Sequence, residues 1–217
     1  MTELDLHVRP SDPGRLAEGA VRVVRGTADG SLYVSSWLDG LADEGRIYDA
    51  ADADENDTVT GQTSFVATTP TFLLRVPDKT TAIPLCLKLV QAGSVAGDFI
   101  QIHVSTDNAD RYSSGGTSEA VLSSRTDNPH TNACTFYTGA TASAGYGITI
   151  DHETLAEDID PASADAAPAF SYLWLPRVPR RLVGPAAFLV YTYATSTAPT
   201  WRWAFSWAEI PSSAIGG

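Results

Sequence analysis

Hydrophobic and polar positions alternate with a period of two in many short segments of this chain. The clearest case lies near the C-terminus, where an aromatic side chain occupies every second position from Trp201 to Trp207. Side chains two positions apart share one face of an extended strand. On a helix the same four side chains would be spread in steps of about 200° and would mark no face. The pattern therefore predicts a β-strand with one strongly aromatic face.

Similar alternating segments recur between loops that are rich in Gly, Pro, Ser and Asp. Ile83–Val90, with Leu85, Leu87 and Leu89 on one face, and Phe99–Val104 flank a glycine-containing connection, which predicts a β-hairpin. The strand before Trp201 ends in the turn 195–199, which predicts a closing hairpin with the aromatic strand. We predict further strands at Ala20–Arg25, Leu32–Leu38, Ser64–Val76, Ala133–Thr138, Tyr146–Ile150 and Phe170–Trp174, loops at 39–62 and 105–130, and one short helix at His152–Asp158.

About nine strands without a long helix predict an all-β fold. Many short antiparallel strands with turn signals are typical of a β-sandwich or barrel, and two long loops favour a sandwich of the jelly-roll type. A chain of 217 residues suits one such domain. Residues 1–19 are polar and carry Pro10, Pro13 and Gly14, so we expect an extended N-terminal arm before a single sandwich at residues 20–217.

The charge of the chain limits its partners. The formal net charge is −12, from 26 acidic and 14 basic residues. An acidic surface repels phosphate backbones, so we expect no direct binding of nucleic acid. Arg177, Arg180 and Arg181 form a local exception that could contact an acidic partner, and an ordinary solvated edge is the alternative.

No segment approaches the roughly 18 apolar residues that a membrane helix needs, so we expect no membrane partner. The N-terminus lacks the basic start and apolar run of a secretory signal. We therefore expect synthesis in the cytoplasm.

Motifs of common enzymes and cofactor sites are missing from the sequence. There is no G-x-S-x-G nucleophile motif, no P-loop and no pair of histidines at H-x-H spacing. His152-Glu153 begins an HExxH-like string, but Ala156 stands where the second histidine is needed. Cys86 and Cys134 lie in apolar segments and are expected to be buried free thiols, with one disulfide as the alternative. We expect no enzymatic activity and no cofactor.

One acidic segment resembles a calcium loop in its spacing. Asp52, Asp54 and Asn56 follow the 1-3-5 pattern that directs oxygen ligands to a hard cation. The sixth position is Asp57 instead of Gly and the twelfth is Thr63 instead of Glu, so the EF-hand reading fails. A looser calcium site and a plain acidic loop both stay open.

The large aromatic side chains allow two interpretations. Trp201, Trp203 and Trp207 could line the core or a subunit interface, because aromatic side chains bury large apolar areas. They could instead stack on sugar rings at an exposed face, as in a glycan-binding or receptor-binding module, in which Tyr112 and its neighbours would also take part. We favour core and interface.

Two features together resemble a known class of proteins. They are the segments Val59–Phe65, Thr68–Thr71 and Ala82–Leu85, and the aromatic strand at the C-terminus. In these features residues 59–210 resemble jelly-roll virion proteins of environmental bacteriophages. The resemblance implies a capsid, decoration or vertex subunit that binds copies of itself and other virion proteins and resides in the virion. The acidic charge favours a position away from the genome.

Overall fold

A computed structural model of the chain describes residues 36–52, 58–92, 99–155, 170–195 and 197–215. The predicted arm at residues 1–19 and the predicted strand Ala20–Arg25 lie outside these ranges. The described residues form fifteen strands, of which six have only two or three residues. All strand pairings in the two main sheets are antiparallel, and the sheets pack face to face. The predicted all-β sandwich is therefore confirmed.

Each main sheet is defined by its strands in spatial order. Sheet I contains β12 (Ser171–Trp174), β4 (Thr80–Gln91), β15 (Thr200–Pro211), β1 (Ile47–Ala51) and β8 (Leu122–Ser123), with β13 (Leu182–Val183) also beside β4 and β2 (Val59–Thr60) beside β15. Sheet II contains β11 (Ile148–Leu155), β5 (Ile100–Asp107), β14 (Ala186–Tyr193), β3 (Phe72–Val76), β9 (Thr135–Thr138) and β7 (Thr117–Ser118). A small separate pair joins β6 (Tyr112–Ser114) and β10 (Thr141–Ala142), α1 (Trp37–Asp43) precedes β1, and a 3-10 helix (Ser212–Ile215) follows β15.

The long strands pair in reverse order along the chain. The first of them, β1, pairs with the last, β15, and β3 pairs with β14. In the same way β4 pairs with β12, and β5 pairs with β11. The first half of the described chain thus runs antiparallel to the second half, and successive pairs alternate between the two sheets.

The aromatic face of β15 fills the space between the sheets. Trp201, Trp203, Phe205 and Trp207 are each at most 5% exposed and belong to the main core. Phe136 of β9 reaches across from sheet II, with its ring centroid 5.1 Å from Trp203 and 5.0 Å from Phe205. Packing of aromatic side chains at these separations contributes beyond their buried area. The predicted strand and its aromatic core face are confirmed.

Both predicted hairpins are wrong. β4 and β5 lie in opposite sheets, and so do β14 and β15. Each connection therefore crosses from one sheet to the other instead of making a tight turn between paired neighbours. A strand can turn one apolar face towards the core in either arrangement, whether its neighbour in the sequence lies in the same sheet or in the opposite one. Alternation alone therefore did not distinguish the two arrangements.

A β-bulge changes the face on which Leu85 lies. The register between β4 and β15 shifts where Ser206 pairs with Cys86 and Trp207 pairs with Pro84, which leaves Leu85 as the extra residue. An extra residue exchanges the two faces of a strand beyond it. Leu87 and Leu89 therefore belong to the main core, whereas Leu85 packs on the outer face. The prediction of one shared face is wrong for Leu85.

Four further predictions of local structure fail within the described residues. The predicted strand Leu32–Leu38 and loop 39–62 contain α1 and β1, and the predicted loop 105–130 contains the short strands β6 to β8. The described part of the predicted helix His152–Asp158 belongs to β11. Its polar residues favoured a helix, but pairing with β5 provides the hydrogen bonds that decide the local structure.

Two smaller apolar clusters cover parts of the outer faces. On sheet II, Leu189 and Tyr191 of β14 pack with Phe65 and Tyr112, so β14 is buried on both faces. On sheet I, Leu41 of α1 packs with Ile83, Ala208 and Leu85.

A buried carboxylate joins the sheets at one end of the sandwich. Glu209 of β15 is 3% exposed. It accepts hydrogen bonds from the backbone N–H groups of Ala133 (2.6 Å) and Cys134 (3.1 Å) and from the indole N–H of Trp207 (2.8 Å). Ala133 and Cys134 lead directly into β9, so this carboxylate holds the entry to sheet II against sheet I. Cys134 and Cys86 are both free thiols, but only Cys134 is buried as expected, since Cys86 is partly exposed.

Candidate interaction surfaces

An apolar and basic surface lies at the β12 edge of sheet I. Tyr172 and Trp174 of β12 point into the core, while Leu173 between them points outward. Pro176 and Pro179 follow, and proline cannot donate a hydrogen bond to a sheet. The chain leaves β4 after Trp174 and rejoins it only at β13. The intervening loop exposes the residues that we call the arginine surface, namely Leu173, Leu175, Arg177, Val178, Arg180, Arg181 and Val183.

Four of these seven side chains are apolar and more than half exposed, with Val178 at 75%. Beside them lies a groove of about 440 Å³ between the loop and β11, lined by Ile150, Trp174 and Pro176 in addition to members of the arginine surface. Apolar side chains grouped at a groove and surrounded by charges are typical of a protein interface. Single exposed apolar side chains would be unremarkable in a soluble domain.

Among the described residues that line this groove, Asp151 is the one carboxylate, and it is hydrogen-bonded within the protein. The hydroxyl of Tyr172 donates a hydrogen bond to Asp151 Oδ2. Burial, together with this hydrogen bond, raises the pKa of Tyr172 well above its usual value, so the hydroxyl stays protonated and keeps donating. Asp151 is thus directed towards Tyr172 at the base of the groove.

The three arginines of this surface form no ion pair with a described carboxylate, whereas four other arginines do. Among the described residues, no carboxylate forms an ion pair with Arg177, Arg180 or Arg181, and all three are exposed. By contrast, the structure contains the ion pairs Arg46–Glu44 (3.2 Å), Arg75–Asp110 (2.6 Å), Arg111–Asp107 (2.6 Å) and Arg125–Asp127 (2.9 Å). The arginine surface therefore carries local positive charge on a chain whose net charge is −12.

An acidic surface of the opposite character is formed by α1. The helix begins with a capping box, in which Ser36 Oγ accepts a hydrogen bond from Asp39 N (3.2 Å) and Asp39 Oδ2 accepts one from Ser36 N (3.1 Å). Leu41 anchors the helix on sheet I. The side chains left in solvent include those that we call the helix surface, namely Trp37, Asp39, Asp43 and Glu44.

The helix surface combines an aromatic side chain with carboxylates. Trp37 is 49% exposed, which is high for an indole ring. Glu44 forms an exposed ion pair with Arg46, and no basic residue lies in the last turn of the helix. A neighbouring loop contacts the helix, because the Arg125 side chain donates a hydrogen bond to the backbone carbonyl of Asp43. Asp127 in this loop is a further exposed carboxylate and forms an ion pair with Arg125. The surface around α1 is therefore acidic.

A third surface is an aromatic and histidine cluster on the outer face of sheet II. Phe65 stacks on His103, with ring centroids 5.2 Å apart, and its edge contacts Tyr146 at 5.3 Å. His152 lies directly opposite His103 on the neighbouring strand. Burial, followed by the proximity of His152, lowers the pKa of His103, so the ring is neutral at pH 7. Tyr146 and His152 form the exposed rim of the cluster.

The contact between His103 and a threonine hydroxyl resembles one part of a catalytic site. His103 Nε2 lies 2.7 Å from Thr149 Oγ1, a distance that a general base and a nucleophile would need. A catalytic pair also requires a third group to orient the imidazole. Among the described residues, no carboxylate contacts His103, and the hydroxyl lies on an exposed strand. Cross-strand packing accounts for this contact.

A smaller groove of about 270 Å³ lies at the opposite edge of sheet I, beside β8. Tyr48 forms its floor and donates a hydrogen bond to the backbone carbonyl of His130 (3.2 Å). Burial, and secondly the charge of Glu209, raises the pKa of Tyr48 to about 12. Leu122 at the rim is 73% exposed. The rest of the lining mixes apolar side chains with polar ones, among them Ser123, His130 and Asn132.

The structure separates the residues that the sequence analysis proposed for interfaces. Arg177, Arg180 and Arg181 are exposed together on one loop. Trp201, Trp203 and Trp207, in contrast, are enclosed by the protein's own sheets and expose no face to a second chain or to a sugar. Of the two positions that the sequence analysis favoured for them, core and interface, the structure shows the core. Tyr112 also has one ring face occupied, by Tyr137 at 4.3 Å.

The calcium candidates are only partly covered by the structure. Asp52 follows β1, and its backbone N–H donates to the carbonyl of Trp203 (3.0 Å). Asp54 and Asn56 lie outside the described residues. Within the described ranges, no group of three or more His, Cys, Asp or Glu side chains could hold a metal ion. The same residues contain no helix that is long and apolar enough to cross a membrane.

Sequence reasoning missed the apolar half of the arginine surface and the whole helix surface. The two prolines after Trp174 could have indicated that the chain leaves the sheet there and exposes Leu175 and Val178. Ser36 and Asp39 have the spacing of a capping box, with Asp in place of the usual Glu or Gln, and could have indicated α1. A search among known protein families, characterised proteins and solved structures found no match.

Proposed function

We propose that this protein is a non-enzymatic structural component of a virus particle, a capsid, decoration or vertex subunit that associates with copies of itself. Its partners would be other virion proteins, and it would be made in the host cytoplasm before it enters the virion. The observation that carries the proposal is the arginine surface, which is exposed, partly apolar and positively charged on an acidic protein.

The pairing of the strands supports a fold suited to this role. Reverse-order pairing of β1, β3, β4 and β5 with β15, β14, β12 and β11 is what a long antiparallel ribbon produces when it is rolled into two sheets. This pairing supports the jelly-roll type of sandwich as part of the proposal, and jelly rolls are found in viral capsid domains. Fold alone does not establish function, so the surfaces must carry the argument.

The chemistry of the arginine surface supports self-association. Arginine is enriched in protein interfaces because its planar group pairs with carboxylates and packs on apolar side chains. Two copies that each carry a net charge of −12 repel one another overall, so association would depend on local contact between this positive surface and an acidic part of the other copy. Nucleic acid would be attracted by three basic side chains but repelled by the rest of the acidic surface. The prediction that the folded domain does not bind nucleic acid is kept.

Sedimentation velocity over a wide range of protein concentrations tests the proposal, with electron microscopy of the concentrated sample. We expect a concentration-dependent oligomer and ordered assemblies. A variant that lacks residues 1–19 measures whether the proposed arm contributes to assembly. A full-length protein that stays monomeric at millimolar concentration, and whose behaviour the truncation leaves unchanged, would contradict the proposal.

Glycan binding is a second candidate, which the aromatic and histidine cluster supports. Tyr146 is 37% exposed and contacts Phe65 and His103, and His103 in turn contacts the exposed His152, so a sugar could stack on Tyr146 and hydrogen-bond to His152. Titration with a panel of saccharides in the millimolar range tests it. Tyr146→Ala should abolish binding, while Trp37→Ala, which removes an exposed aromatic ring elsewhere, should not. Absence of binding by the wild type would rule out this candidate.

A further inference from the structure

We propose that His103 and His152 together bind a divalent transition-metal ion such as Zn²⁺, Ni²⁺ or Cu²⁺. Both side chains belong to the aromatic and histidine cluster on the outer face of sheet II. One ring nitrogen of each histidine would be a ligand, and water would take the remaining coordination positions. The inference goes beyond the proposed function and does not depend on self-association.

Strand pairing places the two imidazole rings side by side. His103 of β5 and His152 of β11 are direct partners in the antiparallel register. Direct partners project from the same face of a sheet, with Cβ atoms about 4.5–5.5 Å apart. Their ring centroids are 5.8 Å apart, with an angle of 43° between the ring planes. A tetrahedral ion about 2.1 Å from one nitrogen of each ring holds the centroids about 5 Å apart, so a small rotation of either side chain brings both rings to one ion.

Hydrogen bonds at Nε2 leave Nδ1 of each ring available. His152 Nε2 lies 3.0 Å from Gln101 Oε1, an amide oxygen that can only accept, so this nitrogen carries the proton. Thr154 Oγ1 donates to the same oxygen at 2.8 Å and holds the amide in place. His103 Nε2 lies 2.7 Å from Thr149 Oγ1, which can accept in the same way. Among the described residues, no hydrogen bond involves Nδ1 of either ring. Metal-binding histidines usually donate their other ring N–H to an oxygen, which orients the ring.

The aromatic neighbours of His103 restrict its ring without using its lone pairs. Phe65 stacks on the imidazole, with 5.2 Å between the centroids and 21° between the planes. Such a contact covers a face of the ring, whereas the nitrogen lone pairs lie in the ring plane. Phe65 is in turn packed against Tyr191 at 5.0 Å. His103 is therefore a positioned ligand, and the exposed His152 gives an ion access from solvent.

The type of ligand selects the class of ion. Imidazole suits Zn²⁺, Ni²⁺ and Cu²⁺, whereas Ca²⁺ and Mg²⁺ prefer carboxylate and carbonyl oxygens. Among the described residues, no carboxylate forms a hydrogen bond with either ring. Of the divalent first-row ions, Cu²⁺ should bind most tightly and Zn²⁺ less tightly.

The alternative role of these rings is contact with a sugar, as in the second candidate function. A sugar would stack on Tyr146 and hydrogen-bond to one nitrogen of His152. That contact needs one histidine, whereas chelation of an ion needs both. Replacement of His103 therefore separates the two roles.

Isothermal titration calorimetry of the full chain, without a histidine tag, tests the site with ZnCl₂ and CuCl₂. We expect one ion per chain. His103→Gln and His152→Gln should each raise the dissociation constant at least about tenfold, because one of the two ligands is lost. His130→Gln is a matched control, since His130 lies at the groove beside β8, and it should leave binding unchanged. His7→Gln is a second control for a histidine outside the described residues.

A spectroscopic measurement separates loss of a ligand from loss of the fold. Electron paramagnetic resonance of Cu²⁺ bound to the wild type should show two coordinated nitrogens, and the His152→Gln variant should show at most one. His152 is exposed, so its replacement should preserve the fold, which circular dichroism and the unfolding midpoint without metal check. Zn²⁺ should raise the unfolding midpoint of the wild type and of His130→Gln, but not that of His152→Gln.

Three outcomes would overturn the inference. The first is a wild type that binds neither Zn²⁺ nor Cu²⁺ up to about 1 mM. The second is binding that persists when both His103 and His152 are replaced, because the ion is then held elsewhere. The third is binding that His152→Gln abolishes and His103→Gln leaves unchanged, because a single imidazole is then the ligand. None of these outcomes bears on self-association, which sedimentation measures separately.

Discussion

Replacing Glu209 by Gln should destabilise the fold far more than the small change in shape suggests. The side chain is 3% exposed and accepts three hydrogen bonds, two at Oε1 and one at Oε2. Gln can keep Oε1 towards Trp207 and Cys134, but its amide nitrogen then faces the N–H of Ala133, so two donors oppose each other. The two remaining hydrogen bonds also lose the strengthening that a charged acceptor gives.

The magnitude follows from these contacts. One lost hydrogen bond at a partly buried donor and two weakened ones should together lower the free energy of unfolding by about 2–4 kcal/mol. Urea unfolding followed by tryptophan fluorescence measures this value. Glu153→Gln makes the same chemical change at an exposed position of β11 and should stay within about 0.5 kcal/mol of the wild type.

A double-mutant cycle measures how much the negative charge strengthens one of these contacts. Trp207→Phe removes the indole donor while it keeps an aromatic ring in the core. If the bond at 2.8 Å contributes as described, the cycle with Glu209→Gln should give a coupling free energy of at least about 0.5 kcal/mol. A Glu209→Gln variant as stable as the wild type would refute the reasoning, because it would mean that the carboxylate does not hold the sheets together.

Three further predictions concern the thiols, a histidine and the core. Burial raises the pKa of the Cys134 thiol far above its usual value and that of Cys86 to a smaller extent, so a thiol reagent should label native protein only at Cys86, and a Cys134 that reacts before unfolding would contradict this. The pKa of His103 is lowered in the fold, so the unfolded chain binds more protons than the folded chain just below pH 6.5. The free energy of unfolding should therefore fall as the pH drops through that range, by at most about 1.4 kcal/mol per pH unit. His103→Gln should reduce this dependence of the unfolding free energy on pH, as measured by urea titrations. Phe136→Ala, which removes a ring packed on four aromatic neighbours, should cost about 3–5 kcal/mol in unfolding free energy, whereas Leu122→Ala at the exposed edge should cost almost nothing.

The sequence predicted the fold class because the long strands carry their apolar residues at a period of two. β15 and β12 show this most clearly, since every second side chain of each is buried. The same pattern could not predict which strands pair. A strand such as β14 is buried on both faces, which fits a central position in either sheet. Proximity in the sequence favoured two hairpins, but the strands concerned lie in opposite sheets.

Local exceptions to the pattern explain the other failures. The bulge at Leu85 reverses the two faces within β4, and no single residue signals it. α1 has only seven residues, so its periodicity is too short to detect. β11 has mostly polar residues and is a strand because β5 pairs with it. These elements depend on contacts between distant parts of the chain, which propensity does not encode.

The candidate surfaces were predictable only in part. The cluster of arginines was visible in the sequence, since three basic residues within five positions stand out in an acidic chain. Their apolar neighbours were not recognised, because Leu173 and Leu175 look like core positions of a strand. Exposure of these side chains results from the end of β12 at Trp174 and from the two prolines beyond it. Burial of the C-terminal tryptophans likewise depends on the opposite sheet.

Hydrogen–deuterium exchange on the full-length protein at two concentrations, below and above the midpoint of association, tests the central claim most directly. The account predicts that the amides of residues 175–181 become protected at the higher concentration, while the exposed segment 143–149 exchanges at the same rate in both samples. Unchanged exchange at residues 175–181 under conditions in which the protein is associated would contradict the account, because association would then bury a different surface.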